Sequence, residues 1–229
     1  MVIIIAMQTI LKNTKAIILS CAGLVLSEQE RELFTAARPL GFILFGRNCE
    51  SPAQLRALCA DLRACVGWHC PILIDQEGGR VQRLKPPVWR GFPAMKGFGD
   101  RAAGGDMDGA LADLRFSTLQ LAEELIDAGI NVNCAPVLDV LTDATSDAIG
   151  DRAFSGDPDI VSRLGVSVCR NLLRAGVVPV IKHIPGHGRA VCDSHKELPR
   201  VDAGLEDMRR TDFKPFYDVV HSDIAGQVW

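Results

Sequence analysis

His183, His187 and His195, three of the chain's five histidines, fall within Lys182-His-Ile-Pro-Gly-His-Gly-Arg-Ala-Val-Cys-Asp-Ser-His195. This stretch follows directly on the apolar run Val177-Val-Pro-Val-Ile181. A buried strand that runs into Lys-His, a proline and two glycines reads as a strand leaving a hydrophobic layer to become a mobile functional loop. In extended chain, residues two apart face the same way, so Asp193 and His195 can lie side by side, the carboxylate accepting from one ring nitrogen. Such a pairing fixes the tautomer, raises the basicity of the ring and makes His195 a candidate general acid/base near neutral pH. Asp-Ser-His is also what an ordinary polar loop contains, and that reading stays open.

Lys182 and His183 close a buried strand, where an unpaired lysine is costly. They should therefore meet a partner or a polar ligand, for which sugar hydroxyls would be suitable. The competing reading pairs Lys182 with a core carboxylate such as Asp75 or Asp139. Asp75, at the end of Pro71-Ile-Leu-Ile74, either binds vicinal hydroxyls or balances Lys182. Arg83 and Arg152 lie in loops on the same expected face and can hold an acyl or carboxylate group, or simply be solvated. His183, His187, Asp193 and His195 also form a conceivable metal-ligand set. Their spacing matches no specific signature, and a metal-dependent hydrolase using His183, His187 and His195 stays open as an alternative.

The elements that must position these groups alternate along the chain. Strands are expected at 16–20, 41–45, 71–75, 131–139 and 177–182, with the opening of a sixth at 224–229. Between them, a Ser27-Glu-Gln-Glu30 capping box opens a helix to about 38, and Ser51-Pro52 opens one carrying Leu55, Leu58, Leu62 and Val66. Further helices are expected at 109–128, 158–175 and 204–221. Residues 85–105, rich in proline and glycine, read as a long lid-like connection. Near-continuously apolar strands alternating with helices imply a parallel sheet covered by helices.

Asn48, Asp75, Asp139 and Lys182-His183 each fall at the carboxyl end of a strand, where parallel α/β folds gather ligand groups. Because they follow several different strands, a TIM (β/α)8-type barrel is favoured over a doubly wound sheet. No Gly-x-Gly-x-x-Gly follows the first strand and no Walker pattern is present. Eight units usually close such a barrel in about 250 residues. The expectation is therefore a single barrel domain over 1–229 that lacks roughly the last two βα units, with open edges inviting self-association.

Composition narrows the partners. At 229 residues and 48% hydrophobic content, one sizeable core is expected. A formal net charge of -3 from well-mixed residues leaves no electrostatic footprint for nucleic acid or an anionic membrane, so the ligand is small. Eight cysteines, mostly inside apolar runs and without a Cys-x-x-Cys pair, suggest reduced thiols in a cytoplasmic protein. Met1-Val-Ile-Ile-Ile-Ala-Met7 has no basic residue before its apolar run and reads as a short lead-in rather than a signal peptide.

The combination of Lys182-His-Ile-Pro-Gly-His-Gly188 and Asp193-Ser-His195 with Ile74-Asp-Gln-Glu-Gly-Gly-Arg-Val-Gln-Arg-Leu84, Gly41-Phe-Ile-Leu-Phe-Gly-Arg-Asn48 and Gly150-Asp-Arg-Ala-Phe-Ser155 resembles the family 3 glycoside hydrolases. The resemblance runs from about residue 14 to the end. It implies a TIM-type barrel that removes terminal β-linked N-acetylglucosamine from peptidoglycan-derived muropeptides with retention of configuration, in cytoplasmic cell-wall recycling. It further implies His195 as the loop-borne acid/base, Asp193 as its supporting carboxylate, Asp75, Arg83, Arg152, Lys182 and His183 as sugar-binding residues, and no metal or organic cofactor. The family's nucleophile is an aspartate in a Ser-Asp-Asp-type segment that no residue up to Trp229 matches. Weak or absent turnover is expected, with Asp139 or Asp75 as the conceivable surrogates.

Overall fold

A computed structural model describes residues 13–193 and 196–229. The apolar lead-in at 1–7 and His195 lie outside the described residues. The chain forms a five-stranded sheet of order β1-β2-β3-β4-β5 in which every neighbouring pair is parallel. The strands are β1 (Lys15–Leu19), β2 (Pro39–Leu44), β3 (Ile72–Ile74), β4 (Val132–Asn133) and β5 (Val178–Pro179).

Several helix boundaries follow from local chemistry. The α1 helix (Glu28–Ala37) opens on the reciprocal Ser27–Glu30 capping box and closes on Arg38 in the left-handed region. The α2 helix (Pro52–Val66) is capped by Ser51, which accepts from Gln54 N, and ends at Gly67 with φ 77°. Its Leu55, Leu58, Leu62 and Val66 are all buried, as their helical spacing requires. The α4 helix (Met107–Asp127) and α5 (Pro158–Arg174) pack on each other beside the sheet.

Other expectations are corrected. Residues 85–105 are not a lid: they contain α3 (Met95–Ala103), which buries Met95, Phe98 and Ala102 against the core. Its Gly97 and Gly99 hide the helical signal. Gly99 is required because a Cβ there would stand 1.8 Å from Phe154 O. The last helix is two, α6 (Leu205–Arg210) and α7 (Lys214–Val220), parted where Asp212 turns into the protein to meet Arg189.

Strands β4 and β5 are shorter than 131–139 and 177–182. Ala135 N turns back onto Asn133 O and Pro136 has no N–H for a ladder, so pairing resumes only at the Val137–Lys182 bridge. Of the sixth strand, only Trp229 reaches β5: Ile181 N donates to Trp229 O and Trp229 N to Pro179 O, both at 2.9 Å.

Strand alternation divides the core. Phe42, Leu44, Ile72 and Ile74 face the helices. Ile18, Ile43, Leu73, Val132, Cys134, Val178 and Val180 gather on the opposite face, where Ile18, Ile43, Val178 and Val180 are only half-buried. No helix among the described residues is long and apolar enough to cross a membrane.

Candidate active site

The carboxyl ends of β3, β4 and β5 bring five of the predicted residues into one chain of charges. Lys182 Nζ stands 2.9 Å from Asp75 Oδ1 and 2.5 Å from Glu77 Oε1. Arg83 Nη2 holds the other Asp75 oxygen at 3.0 Å. Arg152 grips Glu77 with two parallel bonds of 2.9 Å, from Nε to Oε2 and from Nη2 to Oε1. The same guanidinium reaches His183 Nε2 at 3.3 Å, and His183 Nδ1 lies 2.6 Å from Asp139 Oδ2. The order is Arg83, Asp75, Lys182, Glu77, Arg152, His183, Asp139.

Each member is held from behind. Gln76, buried after β3, accepts from the backbone N–H groups of Arg83 and Leu84 at 2.8 and 3.0 Å, which pins the segment carrying Arg83. Asn133 in β4 clasps the Gln76 backbone, accepting from its N–H and donating to its carbonyl. Arg152 Nη1 donates to Ala148 O at 2.8 Å. Asp139 is fully buried and accepts from three donors: the His183 ring, His183 N and His187 N.

The first half of the loop makes specific contacts with the body of the protein. His183 and His187 are tied to Asp139, Arg189 to Asp212 at 2.7 Å. Gly188 lies so close to the end of the fourth strand region that a Cβ would stand 1.8 Å from Val140 O. Asp193 is half-buried and its carbonyl accepts from Lys196 N at 2.9 Å. The Asp193–His195 pairing involves His195 and lies outside the described residues.

The electrostatics follow from the pairing. Burial pushes the Asp75 carboxyl upward, but the Lys182 ammonium and Arg83 guanidinium outweigh it and hold the group below the usual carboxylate range. A guanidinium only donates, so its contact with His183 makes Nε2 the acceptor and places the ring proton on Nδ1, facing Asp139. With both nitrogens engaged, His183 has none to give a metal ion. Lys182 has three N–H groups and two carboxylate partners, which leaves one proton for a ligand. Arg83 Nε is buried and has no hydrogen-bond partner among the described residues.

Two expectations about individual residues change. Asn48 is no ligand group, since its side chain is buried holding Phe45 N, Cys21 O and Gly23 O. Asp139 cannot serve as a surrogate nucleophile, because its oxygens are buried and occupied, and Asp75 is likewise shared between two cations. Glu77 is the central residue that sequence reasoning left out. Two positions after Asp75, it was findable by asking which acid balances Arg152 when Asp75 balances Lys182.

Residues 12–228 match the Glycosyl hydrolase family 3 N terminal domain. The chain belongs to this family. Among its relatives, the beta-hexosaminidase of Pseudomonas aeruginosa (strain LESB58) is 36% identical over 213 residues, covering 93% of this chain and 60% of the relative. That of Idiomarina loihiensis is 37% identical over 204 residues, 89% of this chain and 60% of the relative. The chain thus spans about 60% of the length of these curated relatives.

Solved structures agree. NagZ from Neisseria gonorrhoeae in complex with zinc ion superposes with a TM-score of 0.86 at 29% identity, covering 93% of this chain and 62% of that one. The same protein in complex with N-trifluoroacetyl-D-glucosamine gives 0.84 at 31% identity, covering 90% and 60%. The expected TIM-barrel-type α/β fold is borne out, with the parallel strands and their carboxyl-end network in place.

Proposed function

We propose that this site binds a terminal β-linked N-acetylglucosamine and belongs to a retaining β-N-acetylhexosaminidase acting on muropeptides derived from peptidoglycan. The observation that carries the reading is the unbroken run from Arg83 through Asp75, Lys182, Glu77 and Arg152 to His183 at the strand ends. Carboxylates that accept and cations with protons to spare, fixed in alternation, suit the hydroxyls and amide of an amino sugar. The relatives named beta-hexosaminidase and the N-trifluoroacetyl-D-glucosamine complex of NagZ support the same substrate class.

In this reading Asp75, Arg83, Arg152 and Lys182 hold the sugar, with His183 releasing its Nε2 contact to Arg152, the longest in the run at 3.3 Å, to reach it. His195, supported by Asp193, protonates the leaving oxygen and then takes a proton from water. A retaining double displacement also needs a carboxylate nucleophile. Asp75, Glu77 and Asp139 are each committed to cations or backbone N–H groups, so none of them fills that role. The 229-residue chain accordingly binds the sugar and hydrolyses it slowly or not at all. Eight unpaired cysteines fit a reducing cytoplasm, and the half-covered sheet face bearing Ile18, Ile43, Val178 and Val180 favours self-association.

The test is binding first and turnover second. N-acetylglucosamine titrated into the chain, followed by saturation-transfer NMR, should bind, and Lys182→Ala should abolish the signal. A chromogenic N-acetylglucosaminide should be cleaved no faster by the chain than by His195→Ala. No binding would overturn the sugar reading, and brisk His195-dependent cleavage would overturn the missing nucleophile. Light scattering should show a dimer or larger species, and a clean monomer would remove the self-association proposal.

A further inference from the structure

A cavity of about 610 Å³ opens between α4, α5 and α7 and shares no residue with the strand-end network. It is lined by Arg115 from α4 and by Arg163, Arg170 and Arg174 from α5. The carboxylate that lines it, Asp218, is held by Lys214 at 2.6 Å. Arg170 binds Asp223 at 2.5 Å, and Arg174 stands in the last turn of α5, where a cation suits the helix dipole. Arg115 and Arg163 have no such partner: both are exposed, and neither makes an ion pair or a side-chain hydrogen bond among the described residues. The Ser162 hydroxyl, buried in the wall near Asp218, makes no hydrogen bond of ordinary geometry among the described residues and is free to turn to a ligand oxygen. Half-buried Leu111 and Val166 add an apolar surface.

We propose that this cavity binds a small phosphate ester, with the phosphoryl oxygens taken by the arginines and the organic part by Leu111 and Val166. The inference is independent of the sugar reading above. A guanidinium presents a planar fork of N–H groups that matches phosphate oxygens two at a time. Arginines arriving from two helices offer more donors than one carboxylate can accept, and a phosphoryl group uses more of them. An apolar ligand would leave Arg115 and Arg163 unmatched. The volume lies in the range of small-molecule sites, about 300–1,000 Å³, and a formal net charge of -3 supplies no wider field for a nucleic acid.

The experiment titrates phenyl phosphate, inorganic phosphate and benzoate into the 229-residue chain at low salt, read by calorimetry and by 1H–15N correlation spectra. Phenyl phosphate should bind most tightly of the three and should shift the resonances around Arg115, Ser162 and Arg163. Arg115→Gln and Arg163→Gln each remove an exposed charge and keep a good helix former, and each should weaken phenyl phosphate about three-fold. Should one variant melt early, the other carries the test. Arg210→Gln, an exposed arginine on α6, is the control and should leave the affinity unchanged. Benzoate binding as tightly as phenyl phosphate overturns the phosphate class. An equal loss in Arg210→Gln, shifts confined to the strand ends, or no binding of phenyl phosphate overturns the site.

Discussion

Asp139 Oδ2 lies 2.6 Å from His183 Nδ1, while Asp139 Oδ1 takes the backbone N–H groups of His183 and His187 at 3.2 and 2.7 Å. One buried carboxylate at the end of the fourth strand region thus sets both the ring of His183 and the path of the loop that follows it.

The first prediction concerns the His183 ring. With Arg152 donating to Nε2, two-bond 1H–15N correlation spectra at neutral pH should show His183 as the Nδ1–H tautomer. Asp139→Asn puts an amide N–H where only acceptors fit. Leaving buried donors unpaired costs about 1–3 kcal/mol per group, so the variant should lose at least about 2 kcal/mol in urea unfolding. An Nε2–H tautomer in the native chain would refute the geometry.

Glu77 is the second. It is 2% exposed and neutralises Lys182 and Arg152 together. Removing one partner of a buried pair costs about 3–5 kcal/mol, so Glu77→Gln should be among the most destabilising single changes at the site. N-acetylglucosamine affinity should fall with it, because Lys182 loses one of its two carboxylates and Arg152 its bidentate partner. Unchanged stability would mean that water replaces the carboxylate.

Asp75 carries the pH dependence. Its folded pKa is held below the unfolded value of about 3.9 by Lys182 and Arg83. The stability it contributes is therefore fully present above the unfolded value and is lost as pH falls through the folded one. Asp75→Asn should be less stable than the parent at pH 7, and the gap should close below about pH 4. Urea midpoints measured at pH 7, 5 and 3 decide it, and a gap that persists undiminished at pH 3 contradicts the assignment.

Thiol reactivity gives the fourth. Burial pushes Cys59 and Cys169 up to about 12, and Cys49, Cys70 and Cys134 up to about 11. Thiolate is the reactive form, so at pH 8 the native chain should react with Ellman's reagent first at the half-exposed Cys65 and Cys192. The five buried thiols, Cys21, Cys59, Cys70, Cys134 and Cys169, should wait for denaturant. Rapid native labelling of Cys59 or Cys169, read by mass spectrometry, would show that the helical layer opens readily.

Sequence alone determined what is local. The Ser27–Glu30 capping box, the Ser51-Pro52 helix start and the apolar runs of β1 to β3 depend on neighbours a few residues away, and they stand where their chemistry puts them. Strand-end position singled out Asp75, Lys182 and His183, with Arg83 and Arg152 in loops on the same face, and the family resemblance added the expectation that all five bind the sugar. Tertiary structure decided who pairs with whom. Lys182 meets acids about a hundred positions earlier, and only the ordering of parallel strands makes Asp75 and Glu77, rather than Asp139, its partners. The same holds where local signals misled. Helix α3 survives two glycines because Gly99 must admit Phe154 O. Helices α6 and α7 part because Asp212 is needed inside by Arg189. In each case burial of a charge or contact with a distant backbone outweighs the few tenths of a kcal/mol to about 1 kcal/mol that local propensity commands.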